Sequence, residues 1–404
     1  MTVMLKRGES AAFAVVVLFG GFHASDCLAQ RNVSADVSAG ASFATNPFLS
    51  SGDETSGASA FVEVAPRISE ESEISTFRLS GIFRIEPYAR RYTTDAVAGI
   101  DLDLTRKQSE RFAIRAGASA NTNRSSALDA LFSNRSLNTP GGAEAPQIND
   151  VTFIGQAART TTIAVRAGAT YRPGPRDMAS VDISASAARF DTNNLAEYNF
   201  ASQNFAYSRS VSERMWLSFM LAFSEVDYLR GEAGDGFSVT PMLGGEMQLS
   251  SGLKASLNVG LTYSRSRLPT GSMSETTAFA ARGSLCNTGE RTEICFNADR
   301  GVQPTALGGL RTMDNVSLSL SRQVGIKDRL RLSANYTRSG EGAGPTTIGA
   351  ASFLGGTVDI SRQISPRISV FGSATYADIY EDLVSRKANV QVRAGFRLRV
   401  GSTE

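Results

Sequence analysis

Histidine, tryptophan, cysteine and proline are all scarce: the 404 residues include one His, one Trp, three Cys and 12 Pro. The lone histidine, His23, lies inside an N-terminal stretch that reads as a removable signal, so the remaining chain has no imidazole. This excludes Ser-His-Asp triads, Cys-His dyads, His-ligated zinc and His acid–base chemistry. No catalytic residue, metal or cofactor is expected. An excess of one charge sign is also lacking, since 41 Lys+Arg face 39 Asp+Glu for a net charge of +2. Nothing therefore drives binding to nucleic acid. No apolar run after the N-terminus is long enough for a membrane helix. Disorder is excluded because 42% of residues are hydrophobic and the net charge is small.

Glycine, by contrast, is abundant at 37 residues. The length suggests two or three domains, unless one large β-barrel absorbs it. At the N-terminus, Lys6 and Arg7 precede the uncharged, mostly apolar stretch Ala11–Phe22. That stretch is too short to span a bilayer as a helix, and Cys27-Leu28-Ala29 follows as a cleavage-site-like sequence. Residues 1–29 are expected to be a secretory signal peptide and residues 30–404 the exported domain.

That domain alternates with period two. Leu253, Ala255, Leu257, Val259, Leu261 and Tyr263 oppose Lys254, Ser256, Asn258, Gly260 and Thr262. Val390, Val392, Ala394, Phe396 and Leu398 oppose Asn389, Gln391, Arg393, Gly395 and Arg397. Similar segments recur along the chain, and no charge falls on their apolar faces. They predict about sixteen strands, with starts near Val33, Ala58, Ile74, Thr93, Arg111, Thr160, Met178, Ala196, Arg214, Gly236, Leu253, Asp314, Asp328, Thr347, Arg367 and Lys387. Even-to-odd connections are short and polar, as in Arg172-Pro173-Gly174-Pro175-Arg176. Odd-to-even ones include long stretches at 122–159 and 265–313. This sorting of loop length predicts an all-β, transmembrane, antiparallel up-and-down barrel with its long loops extracellular.

Sixteen strands enclose a lumen too wide for Gly, Ala and Ser side chains to fill, so the apolar face must point outward to lipid. Arg84, Asp101, Arg115, Arg166, Glu246, Lys254, Arg331 and Arg393 are then expected to line a watery pore, where charged side chains set ion preference. The two signs are nearly balanced, so the preference stays open. Asp101 and Asp103 share a strand face, but such neighbours recur in barrels and are not read as a catalytic pair. Tyr88, Tyr92, Phe190, Tyr228, Tyr263, Tyr336 and Tyr376 gather near the long-loop ends, as an interfacial aromatic girdle would. Cys286 and Cys295 are an even pair in an exported chain and are expected to form a disulfide in the extracellular 265–313 loop. Closing a loop of that size stabilises by about 2.5–3 kcal/mol in the chain-entropy model.

An early strand running into Asn46-Pro47-Phe48-Leu49, repeated hairpins, and a last strand ending Phe396-Arg397-Leu398-Arg399-Val400 resemble the porin-like outer-membrane β-barrels of Gram-negative bacteria, most of all the alphaproteobacterial-type β-barrel porins. The resemblance covers the whole chain after Ala29. It implies outer-membrane lipid and the barrel assembly machinery as partners, small hydrophilic solutes as cargo, and is compatible with a homo-oligomer. In such barrels the third long loop commonly folds inward. Residues 122–159 hold that place here, with Ser126 able to cap a short helix carrying Ala127, Leu128, Leu131 and Phe132. Arg124, Asp129, Arg135, Glu144 and Asp150 would then charge a constriction. Passive diffusion of small solutes is the leading function. Alternatives are a barrel linked to polysaccharide or protein export, and a structural or adhesive barrel without an open pore.

Overall fold

The computed structural model describes residues 30–52, 55–124, 158–229, 234–267, 272–342, 351–381 and 386–402. The expected signal peptide and most of the 122–159 segment therefore lie outside the described residues. The first strands are β1 (Gln30–Ala44), β2 (Gly57–Glu71), β3 (Ser75–Glu86), β4 (Asp95–Lys107), β5 (Phe112–Arg124) and β6 (Arg159–Gly174). Next come β7 (Asp177–Phe190), β8 (Tyr198–Ser212), β9 (Met215–Tyr228), β10 (Gly236–Gln248), β11 (Leu253–Arg267) and β12 (Met273–Thr288). The last are β13 (Thr292–Pro304), β14 (Leu310–Gln323), β15 (Asp328–Gly342), β16 (Ala351–Gln363), β17 (Ile368–Glu381) and β18 (Asn389–Gly401).

Each strand pairs antiparallel with its neighbours in sequence, and β1 pairs with both β2 and β18. The sheet is thus a closed 18-stranded up-and-down barrel with no free edge. The connections at one end are 72–74, 108–111, 175–176, 213–214, 249–252, 289–291, 324–327 and 364–367. Those at the other end, among them 45–56, 87–94 and 125–158, are longer. We call these the short-turn and long-loop ends.

The expected count of about sixteen is corrected to eighteen. Both added strands, β12 and β13, fall inside the 265–313 segment read above as one long loop. Their outward apolar runs are short: Phe279, Ala281, Gly283 and Leu285 on β12, with Glu275 and Asn287 flanking, and Ile294, Phe296 and Ala298 on β13. The cysteine pair also suggested a clamped loop. Cys286 and Cys295 are instead directly opposite one another across the β12–β13 hairpin and disulfide-bonded. The bridge sits beside turn 289–291, at the short-turn end rather than the long-loop end.

The two faces of the sheet differ sharply. One carries exposed Leu217, Phe219, Leu243, Leu257, Leu261, Phe279, Leu318, Ile360, Val370 and Phe396. On β11 the run Leu253 to Tyr263 covers ten residue steps, about 34 Å along the strand, or about 24 Å in height at a ~45° tilt. That matches the apolar band of a bilayer-spanning barrel. Ion pairs on this face keep to its borders. Arg265–Glu275 (3.5 Å) and Arg300–Asp314 (2.8 Å) lie toward the long-loop end, Arg209–Asp177 (3.9 Å) and Arg362–Asp328 (3.8 Å) toward the short-turn end. Of the expected girdle, Tyr263, Tyr336 and Tyr376 are on this outer face. Tyr88, Tyr92, Phe190 and Tyr228 are not. They pack at the rim and inside it, as described below.

Two outcomes are expected. Leu257→Arg at the middle of the outer band should destabilise the barrel by about 2–4 kcal/mol in lipid vesicles, whereas Ser256→Arg on the opposite face should be tolerated. Urea titration of the folded fraction checks this, and equal costs would reverse the assignment of faces. For the disulfide, an unreduced tryptic digest should yield peptide Gly283–Arg291 joined to Thr292–Arg300, and reductant should separate them.

Candidate functional site: the lumen

The concave face is identified by contacts between strands that are not neighbours. Side chains two strands apart can meet only on the inside of a curved sheet. Arg115 on β5 reaches over β6 to Asp182 on β7, donating from Nε to Oδ1 at 2.9 Å and from Nη2 to Oδ2 at 2.7 Å. Arg166 on β6 reaches over β5 to Asp103 on β4, and stands 3.8 Å from Asp101. Ser218 on β9 donates to Asn258 on β11 at 2.8 Å.

Both arginine bridges cross a glycine. Gly168 lies beneath the first, and a Cβ there would come within 2.2 Å of Asp182 Oδ1 and 2.8 Å of Arg115 Nε. Gly117 lies beneath the second, where a Cβ would meet Arg166 Nε at 2.5 Å. The missing side chain is what gives each guanidinium its path.

Followed around the barrel, the pairing register places Arg84, Asp101, Arg115, Arg166, Glu246, Lys254, Arg331 and Arg393 all on this inner face. They do not form one ring. Glu246, Lys254 and Arg331 are exposed near the short-turn end. Asp101, Arg115 and Arg166 belong to the mid-wall bridges. Arg84 and Arg393 are buried toward the long-loop end around Glu86, which strand alternation alone did not single out. Glu86 is 2% exposed and accepts hydrogen bonds from Ser59 Oγ (2.6 Å) and Ser42 Oγ (3.0 Å). Arg84 Nε stands 3.6 Å and Arg393 Nη2 3.4 Å from its Oε2. The Arg393 guanidinium also lies 4.0 Å from the centroid of Phe61. Between these clusters run hydroxyl pairs, Ser184–Ser202 and Ser256–Ser284 at 2.7 Å and Thr240–Thr262 at 2.8 Å. Among the described residues no group of three or more His, Cys, Asp or Glu side chains could hold a metal.

Two straps fold from the long-loop end onto the inner wall. The first is Asn46-Pro47-Phe48-Leu49. Pro47 disfavours a helical backbone at Asn46. The Asn46 side chain accepts from Ser50 N (3.0 Å) and donates to Ser50 O (3.0 Å) and Lys387 O (2.9 Å), closing an Asx-type turn. Leu49, with φ of 50°, then packs on Met313, Ala351, Phe353, Ala377 and Ile379 from β14, β16 and β17. Phe48 meets Tyr92 at 5.1 Å and Tyr88 at 5.8 Å, with the Arg124 guanidinium 4.8 Å from its ring. Arg124 is the one expected constriction residue within the described residues, and it sits at this rim. Asp129, Arg135, Glu144 and Asp150 lie outside them.

The second strap is Thr305–Gly309, between β13 and β14. It crosses to β7–β9, where Ala306, Leu307 and Leu310 join Phe190, Leu195, Tyr198, Val226 and Tyr228 in one apolar cluster. Buried inner-face polar residues such as Ser42, Glu86, Ser186, Thr262, Ser339 and Gln391 all lie in this same half of the barrel. The lumen is thus packed toward the long-loop end and open to water toward the short-turn end. No periodicity signals the straps. The one hint was Asn46-Pro47-Phe48-Leu49 itself.

Glu86→Ala would leave Arg84 and Arg393 buried without their shared carboxylate. The expected loss is about 3–5 kcal/mol of stability, read as a lower urea midpoint. Glu86→Gln, which keeps acceptors for both serines, should cost less.

No protein-family model matches the chain, and no curated protein does. Similar solved structures include the FrpB iron transporter from Neisseria meningitidis (F5-1 variant), with 9% identity and TM-score 0.45 over 87% of this chain and 63% of that one. A BenF-like porin from Pseudomonas fluorescens Pf-5 shows 6% identity and TM-score 0.46 over 91% of this chain and 99% of that one. OccK2 (OpdF) of Pseudomonas aeruginosa shows 8% identity and TM-score 0.45 over 92% and 98%. The chain therefore spans less than two thirds of the iron transporter and nearly all of the two Pseudomonas proteins.

Proposed function

We propose that the chain is an outer-membrane, porin-like channel for passive diffusion of small hydrophilic solutes. The observation that carries this reading is the inverted polarity of the closed barrel. Its outer band is apolar and its inner wall holds arginines, carboxylates and hydroxyls. Such a surface is stable only with hydrocarbon outside and water inside. Eighteen strands leave room for an aqueous path. On this reading residues 1–29 are the signal peptide, the barrel assembly machinery inserts the chain, and the long-loop end faces outward. Glu246, Lys254 and Arg331 then meet solutes in the wide, water-exposed half, Asp101, Arg115 and Arg166 at mid-wall, and Arg84 and Arg393 near the straps. Asp129, Arg135, Glu144 and Asp150 of the third long loop would add to any constriction there.

A second reading, an export barrel for polysaccharide or protein, draws on the straps. The packed half of the lumen is at the long-loop end, so the wide half opens toward the side from which exported material would arrive.

Planar-bilayer recording tests the channel. The full barrel should give discrete conductance steps. The double variant Lys254→Glu/Arg331→Glu, which places two more carboxylates in the exposed part of the lumen, should shift reversal potentials toward cation preference. A folded barrel that passes no current in any condition would refute passive diffusion.

A further inference from the structure

We propose that the outer face centred on Gln203 is where a second copy of this chain docks within the membrane, as a twofold pair whose two Gln203 amides bond to each other. The proposal rests on the membrane placement of the apolar band given above, and not on whether the lumen conducts.

Gln203 is an amide where the rest of the band is apolar. Its chain neighbour Ser202 bonds Ser184 on the inner wall, so Gln203 points outward from β8. Exposed Phe205 and Tyr207 follow on the same face. Across the strands Gln203 stands opposite Ile183 of β7 and Phe223 of β9, both exposed and apolar. The polar borders on β8 are Asn199 and Arg209, four and six residues away. At ~3.4 Å per residue and a ~45° tilt, Gln203 is about 10 Å and about 14 Å inside them. Asn199 accepts from Arg189 Nη2 at 2.8 Å. Gln203 is exposed, and its side chain has no hydrogen-bond partner among the described residues. Hydrocarbon offers it none either, and an amide left so is strongly disfavoured. A glutamine carries both donors and an acceptor, so two copies of it satisfy one another without any other polar residue.

The surface on either side of Gln203 is also self-complementary. In the long-loop half, outward aromatics stand on β9 (Phe223), β10 (Phe237), β11 (Tyr263) and β12 (Phe279). On β4 to β8 the same half has none among the described residues. Ala98, Ala120, Thr122, Thr161, Ala187 and Ala201 hold those places, and Thr161 Oγ1 donates to Thr122 Oγ1 at 3.2 Å. A lipid-facing rim is anchored by interfacial rings, whereas small side chains let another backbone come close. Gln203 thus has a shallow face on one side and a bulky ridge on the other. A twofold axis along the membrane normal through Gln203 sets the ridge of each copy against the shallow face of its mate, which is an isologous contact.

The test uses residues 30–404 in lipid vesicles, with heat-modifiable mobility first showing that each form is folded. Cys286 and Cys295 are the only cysteines in this span and are already bonded to each other. Mild oxidation of Gln203→Cys should give a product of twice the chain mass that reductant reverses. Val370→Cys, exposed in the same band nine strands away on β17, should give none. Gln203→Leu replaces the amide with a side chain that suits lipid. It should weaken self-association about tenfold, read from the dimer fraction as protein is diluted in lipid. No crosslink at Gln203→Cys, or equal crosslinking of both cysteine variants, would overturn the docking face. Equal association of Gln203→Leu and wild type would overturn the amide pair. A wild type that is folded and inserted but monomeric would overturn the proposal alone. A wild type that does not insert into lipid would remove the membrane placement with it.

Discussion

Every other feature of this molecule depends on the meeting of its first and last strands. Pairing between β1 and β18 closes the sheet, so that its strands satisfy one another's backbone N–H and C=O groups around the circumference rather than presenting two open edge strands. In hydrocarbon an unpaired amide has no alternative donor or acceptor, so a spanning sheet must either close or fail. Closure at eighteen strands fixes a circumference, and that circumference fixes a lumen wider than its own wall side chains can fill. The straps, the inner ion pairs and the hydroxyl ladders are different ways of occupying or hydrating that space.

Much of this was legible in the sequence, and the limits have physical causes. Period-two alternation identifies a strand when its outward run is long and free of charge, as on β9, β11 and β18. It weakens on β12 and β13, where Glu275, Asn287 and Arg300 shorten the apolar run, and a cysteine pair invites a loop reading. The eight candidate inner-face residues share that face because alternation assigns a face once closure decides which side is inside. How they group was not legible. The reach of Arg115 to Asp182 spans 67 residues and exists only after β6 has been threaded between two partners. Tyr228 and Phe190 illustrate the same limit from the other side: their spacing suited a girdle, but their faces point inward to receive a strap.

The two halves of the lumen have different physics. Toward the short turns, charged side chains are exposed and screened, so each acts weakly and over a short range. Toward the long loops, Glu86 and its arginines are withdrawn from water, where an unbalanced charge is costly and the signs must compensate. Residues of the same type on one inner face therefore divide into water-exposed and buried, structural groups by depth alone.

The glycines beneath the arginine bridges carry a consequence for how the wall is put together. Strands of Ala, Ser and Thr alternate so evenly that a slip of two residues would keep every side chain on its proper face and cost little in burial. A slip of β6 by two, however, would bring Arg166 or Thr170 where Gly168 now lets Arg115 pass to Asp182. The clearance exists at one offset only. Gly117, beneath Arg166, imposes the same condition on β5. The gaps thus act as keyways: they let a wall of near-repetitive strands recognise its own correct alignment.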